Sequence, residues 1–307
     1  MAEIIVSTEN LTKQYHKINA LNDFHMEVHR GDIYGFVGKN GAGKTTLLRI
    51  LTGRARQTSG KIELFGKSYR KDLDIQRGKV GAIIETPALY PGMTAKDNLE
   101  VLRLQLGIAG NDCIVNPLKM VGLEEVSSKK VKDFSLGMKQ RLGLAMALFG
   151  NRELLVLDEP VNGLDPEGIV AFREILKKLN VEFGITILIS SHFLGELSQI
   201  ATYYGFIHAG RMMEEISAKE LQKKCESYLV IRVDDAIKTA AILGKALPEY
   251  KTEIITENKL YVYNFSGETG IIIKTLVNED IIVKELKAYN DGLENYYMTA
   301  IKKKGIR

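Results

Sequence analysis

The chain has 307 residues, 45% of them hydrophobic and 26% charged, which is the profile of a globular protein with room for one large domain or two unequal ones. Its net charge of +4 is too weak a bias for a nucleic-acid-binding surface, so no nucleic-acid partner is expected. No run of about 18 apolar residues occurs, so no membrane-spanning helix is expected, and any membrane role must come through a partner.

The opening MAEIIVSTEN lacks the basic and apolar regions of a secretory signal. Ile33–Val37 reads as a strand, followed by a Gly-rich loop and a helix from Gly43 to Leu51. Val80–Ile84 is a strand and Ala95–Leu106 has helical spacing. Lys139–Leu148 is helical, Leu154–Leu157 is a buried strand, Ile169–Asn180 is a helix and Ile185–Ser190 is a strand. Strands alternating with helices predict a parallel sheet with helices on its faces, an α/β fold. After Ser217 the character changes. Tyr228–Val233 predicts a strand and Asp235–Leu247 a helix. Glu253–Thr256 and Leu260–Phe265 predict two strands, Gly270–Asn278 a helix, Ile281–Ala288 a strand and Leu293–Lys303 a closing helix. That βαββαβ order is the ferredoxin-like arrangement, a small α+β C-terminal domain. The predicted domains are residues 1–217 and 218–307. Cys113 and Cys225 lie far apart and outside any CxxC pair, which gives little support to metal or redox chemistry. The basic tail Lys302–Lys303–Lys304 reads as a solvated helix end, with anionic lipid as the sharper alternative.

The loop Gly38-Lys39-Asn40-Gly41-Ala42-Gly43-Lys44-Thr45, with Thr46 beside it, fits GxxxxGK[ST] between a strand and a helix. Glycines let successive N–H groups face a phosphate chain, and the helix N-terminus adds its positive end. Lys44 would reach the β- and γ-phosphates of ATP, and Thr45 would ligate Mg²⁺. Downstream, Leu154–Leu157 delivers Asp158 and Glu159 where a strand leaves the sheet. Asp158 would hold Mg²⁺ through water, and Glu159 would polarise the attacking water.

What lies between and after these motifs resembles the ABC ATPase family over residues 1–217. Phe134-Ser135-Leu136-Gly137-Met138-Lys139-Gln140 is similar to the family's signature, usually LSGGQ. Ser135 and Gly137 coincide with it, whereas Leu136 and Met138 depart from Gly and Gln. A Ser hydroxyl and a Gly N–H at a helix N-terminus make a second phosphate clamp. The resemblance implies that this clamp closes on ATP held by the other copy of a homodimer. It also implies that Tyr15 stacks on adenine, that Asn162-Gly163-Leu164-Asp165-Pro166 is the D-loop, and that His192 contacts the γ-phosphate. One position departs: the family normally has Gln where Glu85 stands, and a glutamate there is expected to approach the metal or the attacking water. Glu85, FSLGMKQR and the C-terminal extension together look most like the bacitracin-type and lantibiotic-immunity ATPases. The implied function is an ATP-hydrolysing subunit at the cytoplasmic face of the cell membrane, working with a separate transmembrane permease to expel a peptide antibiotic. The alternative is a membrane complex that senses peptides or acts mechanically without moving a solute. A translation factor would carry two P-loops. A chromosome-maintenance ATPase would need a long coiled coil between P-loop and signature. A P-loop kinase would have no use for the Ser135 clamp.

Overall fold

The computed structural model describes residues 3–290, except 111, 151, 225–226 and 264–268, together with residue 296. Cys225 and, apart from Tyr296, the expected closing helix lie outside the described residues. The chain divides into two compact units, Met1–Ala218 and Lys219–Arg307.

The first unit opens with two strands, β1 (Ile4–Tyr15) and β2 (Ile18–His29). Then follow β3 (Ile33–Val37), α1 (Lys44–Leu51), β4 (Ser59–Leu64), α2 (Arg70–Arg77) and β5 (Val80–Ile83). A helical stretch contains α3 (Ala95–Leu106), α4 (Asp112–Met120) and α5 (Leu136–Ala147). The sheet resumes with β6 (Leu154–Asp158), α6 (Pro166–Phe183), β7 (Thr186–Ser191) and the short α7 (Leu194–Leu197). It ends with β8 (Tyr203–His208) and β9 (Arg211–Ser217). The described strands of this unit form a sheet of order β5-β6-β7-β3-β8-β9 and a second of order β2-β1-β4. The first is parallel except for its edge strand β9, and the second is antiparallel throughout.

Every residue of β3, β6 and β7 is buried, as expected of short apolar strands covered on both faces. Alternation sorts their side chains. Tyr34, Phe36, Leu154, Val156 and Leu188 join one core with α1 and the antiparallel sheet. α1 contributes Leu47, Leu48, Ile50 and Leu51 to that core, so the helix sits between the two sheets. The opposite face meets α6 and α7: Gly35 lies against Leu197 and Ala201, and Ile189, Phe172 and Leu176 line one apolar pocket. Helix α5 begins three residues earlier than the sequence suggests, because the Ser135 side chain caps it by accepting from the Met138 amide at 3.2 Å.

The second unit contains α8 (Ala218–Lys224), β10 (Ser227–Val233), α9 (Ala236–Ala246), β11 (Lys251–Thr256), β12 (Lys259–Tyr263), α10 (Thr269–Asn278) and β13 (Val283–Asn290). Its antiparallel sheet has the order β11-β12-β10-β13, which is the ferredoxin-like order the sequence suggests. Leu229, Ile231 and Val233 alternate inward to meet Leu243 of α9 and Ile272 and Leu276 of α10.

A part-buried polar pair ties β3 to β9. The Tyr34 hydroxyl donates to Glu215 at 2.6 Å, and the Glu27 amide donates to the same carboxylate at 3.1 Å. Room for the phenol exists because position 205 is glycine: a Cβ there would stand 2.1 Å from the Tyr34 oxygen. Burial raises the Glu215 carboxyl above the usual carboxylate range, an effect the two hydrogen bonds only partly offset. A carboxyl raised on folding binds its proton more tightly in the native chain, so stability is lost as pH rises through the native value. Glu215→Gln keeps the shape and a carbonyl acceptor without the charge. Relative to wild type, the variant should therefore gain stability as pH climbs from the ordinary carboxylate range through the raised native one. Urea melts over a pH series measure the difference, and parallel curves for the two proteins would refute it.

Candidate functional site

Three strand ends build the site. In the parallel register Val37 stands opposite Ser191, and Asp158 stands opposite Ser190. The loop after β3, the carboxylates at the end of β6 and His192 after β7 therefore emerge side by side, at the carboxyl edge where α/β sheets bind ligands.

The loop curls as its glycines allow. Gly43 has φ 112°, in the left-handed region, and a Cβ there would stand 2.5 Å from the Ala20 carbonyl. At Gly38 a Cβ would meet the Ile207 carbonyl at 2.7 Å. Lys39, Asn40, Gly41, Gly43, Lys44, Thr45 and Thr46 line one open cavity, with Ala20 and Glu159 completing its wall. Gly38 and Ala42 lie behind the loop and hold its shape. The Gly38 carbonyl accepts from Lys44, and the Ala42 amide donates to the Lys39 carbonyl at 3.1 Å.

Lys44 is 5% exposed, and its Nζ reaches the carbonyl of Gly38 at 2.6 Å, that of Lys39 at 3.3 Å and Glu159 Oε1 at 3.2 Å. The second Glu159 oxygen meets His192 Nδ1 at 2.8 Å. Glu159 therefore stands between a cation and an imidazole, with φ 46°, a left-handed backbone unusual outside glycine. Asp158 accepts from the Thr45 hydroxyl at 2.7 Å and from the Ser190 hydroxyl at 2.6 Å. Ser190 Oγ also accepts from the Glu159 amide at 3.1 Å. The D-loop turns from β6 into α6, with the Asp165 side chain capping the helix through the Gly168 amide at 2.9 Å. A further carboxyl, Glu196, lines a neighbouring pocket with Glu159, Asn162 and His192. Burial raises it above the usual range, and the charge of Glu159 adds to that while His192 opposes it.

The structure thus gathers Lys44, Thr45, Asp158, Glu159 and His192. It does not bring Ser135 and Gly137 to the same cavity: Ser135 is exposed at the start of α5, and Gly137 lies near Leu164 of the D-loop. Tyr15 is 41% exposed at the end of β1, with Lys13 Nζ 4.7 Å above its ring. Its hairpin also carries Ala20, which backs the loop at Gly43. Glu85, expected to approach the metal or the attacking water, has a protein partner in the structure. Its carboxylate is paired with the Arg49 guanidinium, and among the described residues it makes no hydrogen bond to Thr45 or Asp158. Sequence reasoning missed Ser190, Ala20 and Arg49. Ser190 becomes visible only once the register sets it beside Asp158.

The family model for the ABC transporter matches residues 21–162. The chain is 39% identical over 297 residues to the bacitracin transport ATP-binding protein BcrA of Bacillus licheniformis, covering 97% of each chain. It is 44% identical over 212 residues to the lantibiotic transport ATP-binding protein SrtF of Streptococcus pyogenes, covering 69% of this chain and 90% of that one. Among solved structures, cbiO1 from Clostridium perfringens, part of the ABC transporter complex cbiONQ, is similar with a TM-score of 0.67 at 25% identity, over 80% of this chain and 96% of that one. The dimeric post-hydrolysis state of the ATP-binding cassette MJ0796 bound to ADP and Pi gives 0.63 at 25% identity, over 70% and 99%. With its phosphate loop and carboxylate pair inside the matched region, and a relative alike along almost its whole length, the chain belongs to the ABC transporter family and is one of its ATP-binding, ATP-hydrolysing subunits.

Proposed function

We propose that the chain powers the removal of a peptide antibiotic of the bacitracin or lantibiotic kind, as an ATPase pair beneath a separate transmembrane permease at the cytoplasmic face of the cell membrane. The observation that carries this reading is the extent of the likeness to the bacitracin transport ATPase, which covers 97% of this chain and so includes the C-terminal unit. That unit contributes none of the phosphate-handling residues. Its role in this reading is docking, dimer support or regulation, with the domain boundary near residues 217–218.

Each residue then has a task. The loop amides of residues 39–46 would bind the phosphate chain, and Lys44 would bind the β- and γ-phosphates. Thr45 and Asp158 supply the hard oxygen donors that Mg²⁺ prefers, and bound Mg²⁺ would neutralise charge on the phosphate oxygens. Glu159 would take the proton of the attacking water. His192, within 2.8 Å of that carboxylate, orients it and would contact the γ-phosphate. Ser135 and Gly137 stand outside the chain's own cavity, which suits a clamp on ATP bound by a second copy. Tyr15, exposed on the hairpin that carries Ala20, suits the adenine.

Lys44→Ala should weaken MgATP binding by roughly a hundredfold, in line with the ~2–5 kcal/mol carried by a buried charge contact. Fluorescent-nucleotide titration reads this, and unchanged affinity would remove the loop from the ATP site. Glu159→Gln keeps the shape but not the base, so hydrolysis should fall ~10²–10⁴-fold while ATP binding persists and the closed dimer accumulates on size-exclusion chromatography. Truncation after Ser217 should spare ATP binding. The substrate class is tested by co-expressing the chain with its permease in a bacitracin-sensitive host: wild type should raise resistance and Lys44→Ala should not.

A further inference from the structure

The glutamate at position 85 presents an electrostatic difficulty. β5 pairs with β6 so that Ile83 stands opposite Leu157, and two residues further along each chain come Glu85 and Glu159. Glu85 thus leaves the sheet beside the strand end that delivers Asp158 and Glu159, and with ATP in the phosphate-loop cavity a further uncompensated carboxylate there would repel the polyphosphate. A glutamine there would be neutral and could donate from its amide, whereas a glutamate only accepts. The structure supplies a counter-ion. Arg49 of α1 lies four residues after Thr45, on the same helix face, and its guanidinium pairs with Glu85. Glu85 meets it with φ 66°, a left-handed conformation adopted by a non-glycine residue. The following Pro87 packs against α5, where a Cβ on Gly143 would stand 2.4 Å from the proline ring. The Glu85–Pro87 loop is therefore fixed at one end to the helix that begins in the phosphate loop and at the other to the helix that Ser135 caps.

We propose that Arg49 is a positioning residue of the ATPase reaction: it holds Glu85 and cancels its charge, which lets an acidic side chain occupy a loop bordering the γ-phosphate. The pair is exposed, with side chains at 42% for Arg49 and 63% for Glu85, and exposed ion pairs add little to folding stability. Its effect therefore belongs in the affinity for a triply phosphorylated ligand. The inference rests on the reading of this cavity as the ATP site.

A double-mutant cycle with two nucleotides tests it. Arg49→Ala should weaken MgATP binding about tenfold, the scale of one partly screened charge at the edge of the phosphate site, while MgADP affinity moves less than about twofold. Arg49→Lys, which keeps the charge, should retain most of the MgATP affinity. Glu85→Gln removes the charge that Arg49 cancels, so the double variant Glu85→Gln/Arg49→Ala, neutral like the wild-type pair, should return to within about twofold of wild-type MgATP affinity. A double variant that stays as weak as Arg49→Ala, equal losses for MgATP and MgADP, or no loss from Arg49→Ala would each overturn the proposal. MgADP binding also reports that each variant is folded. Normal ATP binding by Lys44→Ala would instead count against the underlying assignment of the cavity, so the two failures are distinguishable.

Discussion

An ammonium held at 5% exposure needs acceptors on every side, and Lys44 finds them in the carbonyls of Gly38 and Lys39 and in the carboxylate of Glu159. That requirement joins the loop after β3 to the end of β6. Glu159, drawn to the cation by one oxygen, is left to engage His192 with the other, which brings in the end of β7. Asp158 is oriented independently by Ser190 and Thr45. The two adjacent acids thus face different partners: among the described residues Asp158 is met by two hydroxyl donors, and Glu159 by a cation and an imidazole. The tasks proposed for them, metal ligand and base, suit that difference in surroundings.

The burial of α1 underlies this geometry. A helix whose Leu47, Leu48, Ile50 and Leu51 all lie in a core between two sheets has little freedom to shift. Its first residues, Lys44 and Thr45, therefore stay fixed relative to the strand ends they address. The antiparallel sheet takes part in the site as well as in the core, because the Ala20 carbonyl closes the back of the loop at Gly43. Arg49, on the exposed side of the same helix, extends this fixed geometry to the loop carrying Glu85.

What could be read in the sequence follows from where alternation and motif survive. β3, β6 and β7 announce themselves as short apolar runs bounded by turn residues, and the structure buries each one entirely. The C-terminal strands keep a clean period, with Leu229, Ile231 and Val233 pointing inward, so the βαββαβ order is visible before any pairing is known. β1 and β2 are different. Register shifts near Ile4, Thr8, Leu11 and Lys13 break their alternation, and the pattern that would reveal a strand is lost. β8 and β9, mixed in aromatic and charged residues, also went unassigned. Arg49 could not be paired with Glu85 from sequence, since only the packing of α1 beside the end of β5 brings them together.

The Tyr34–Glu215 contact has a consequence for how this sequence can drift. Gly205 leaves space that the Tyr34 phenol fills, and the phenol supplies the donor that Glu215 accepts. A side chain at 205 fits only if residue 34 becomes smaller. A smaller residue at 34 leaves a partly buried carboxylate without its hydroxyl, so residue 215 must then change too. Evolution can cross this neighbourhood only by concerted replacement, and the three positions are expected to co-vary among descendants of this chain even though none of them touches a phosphate.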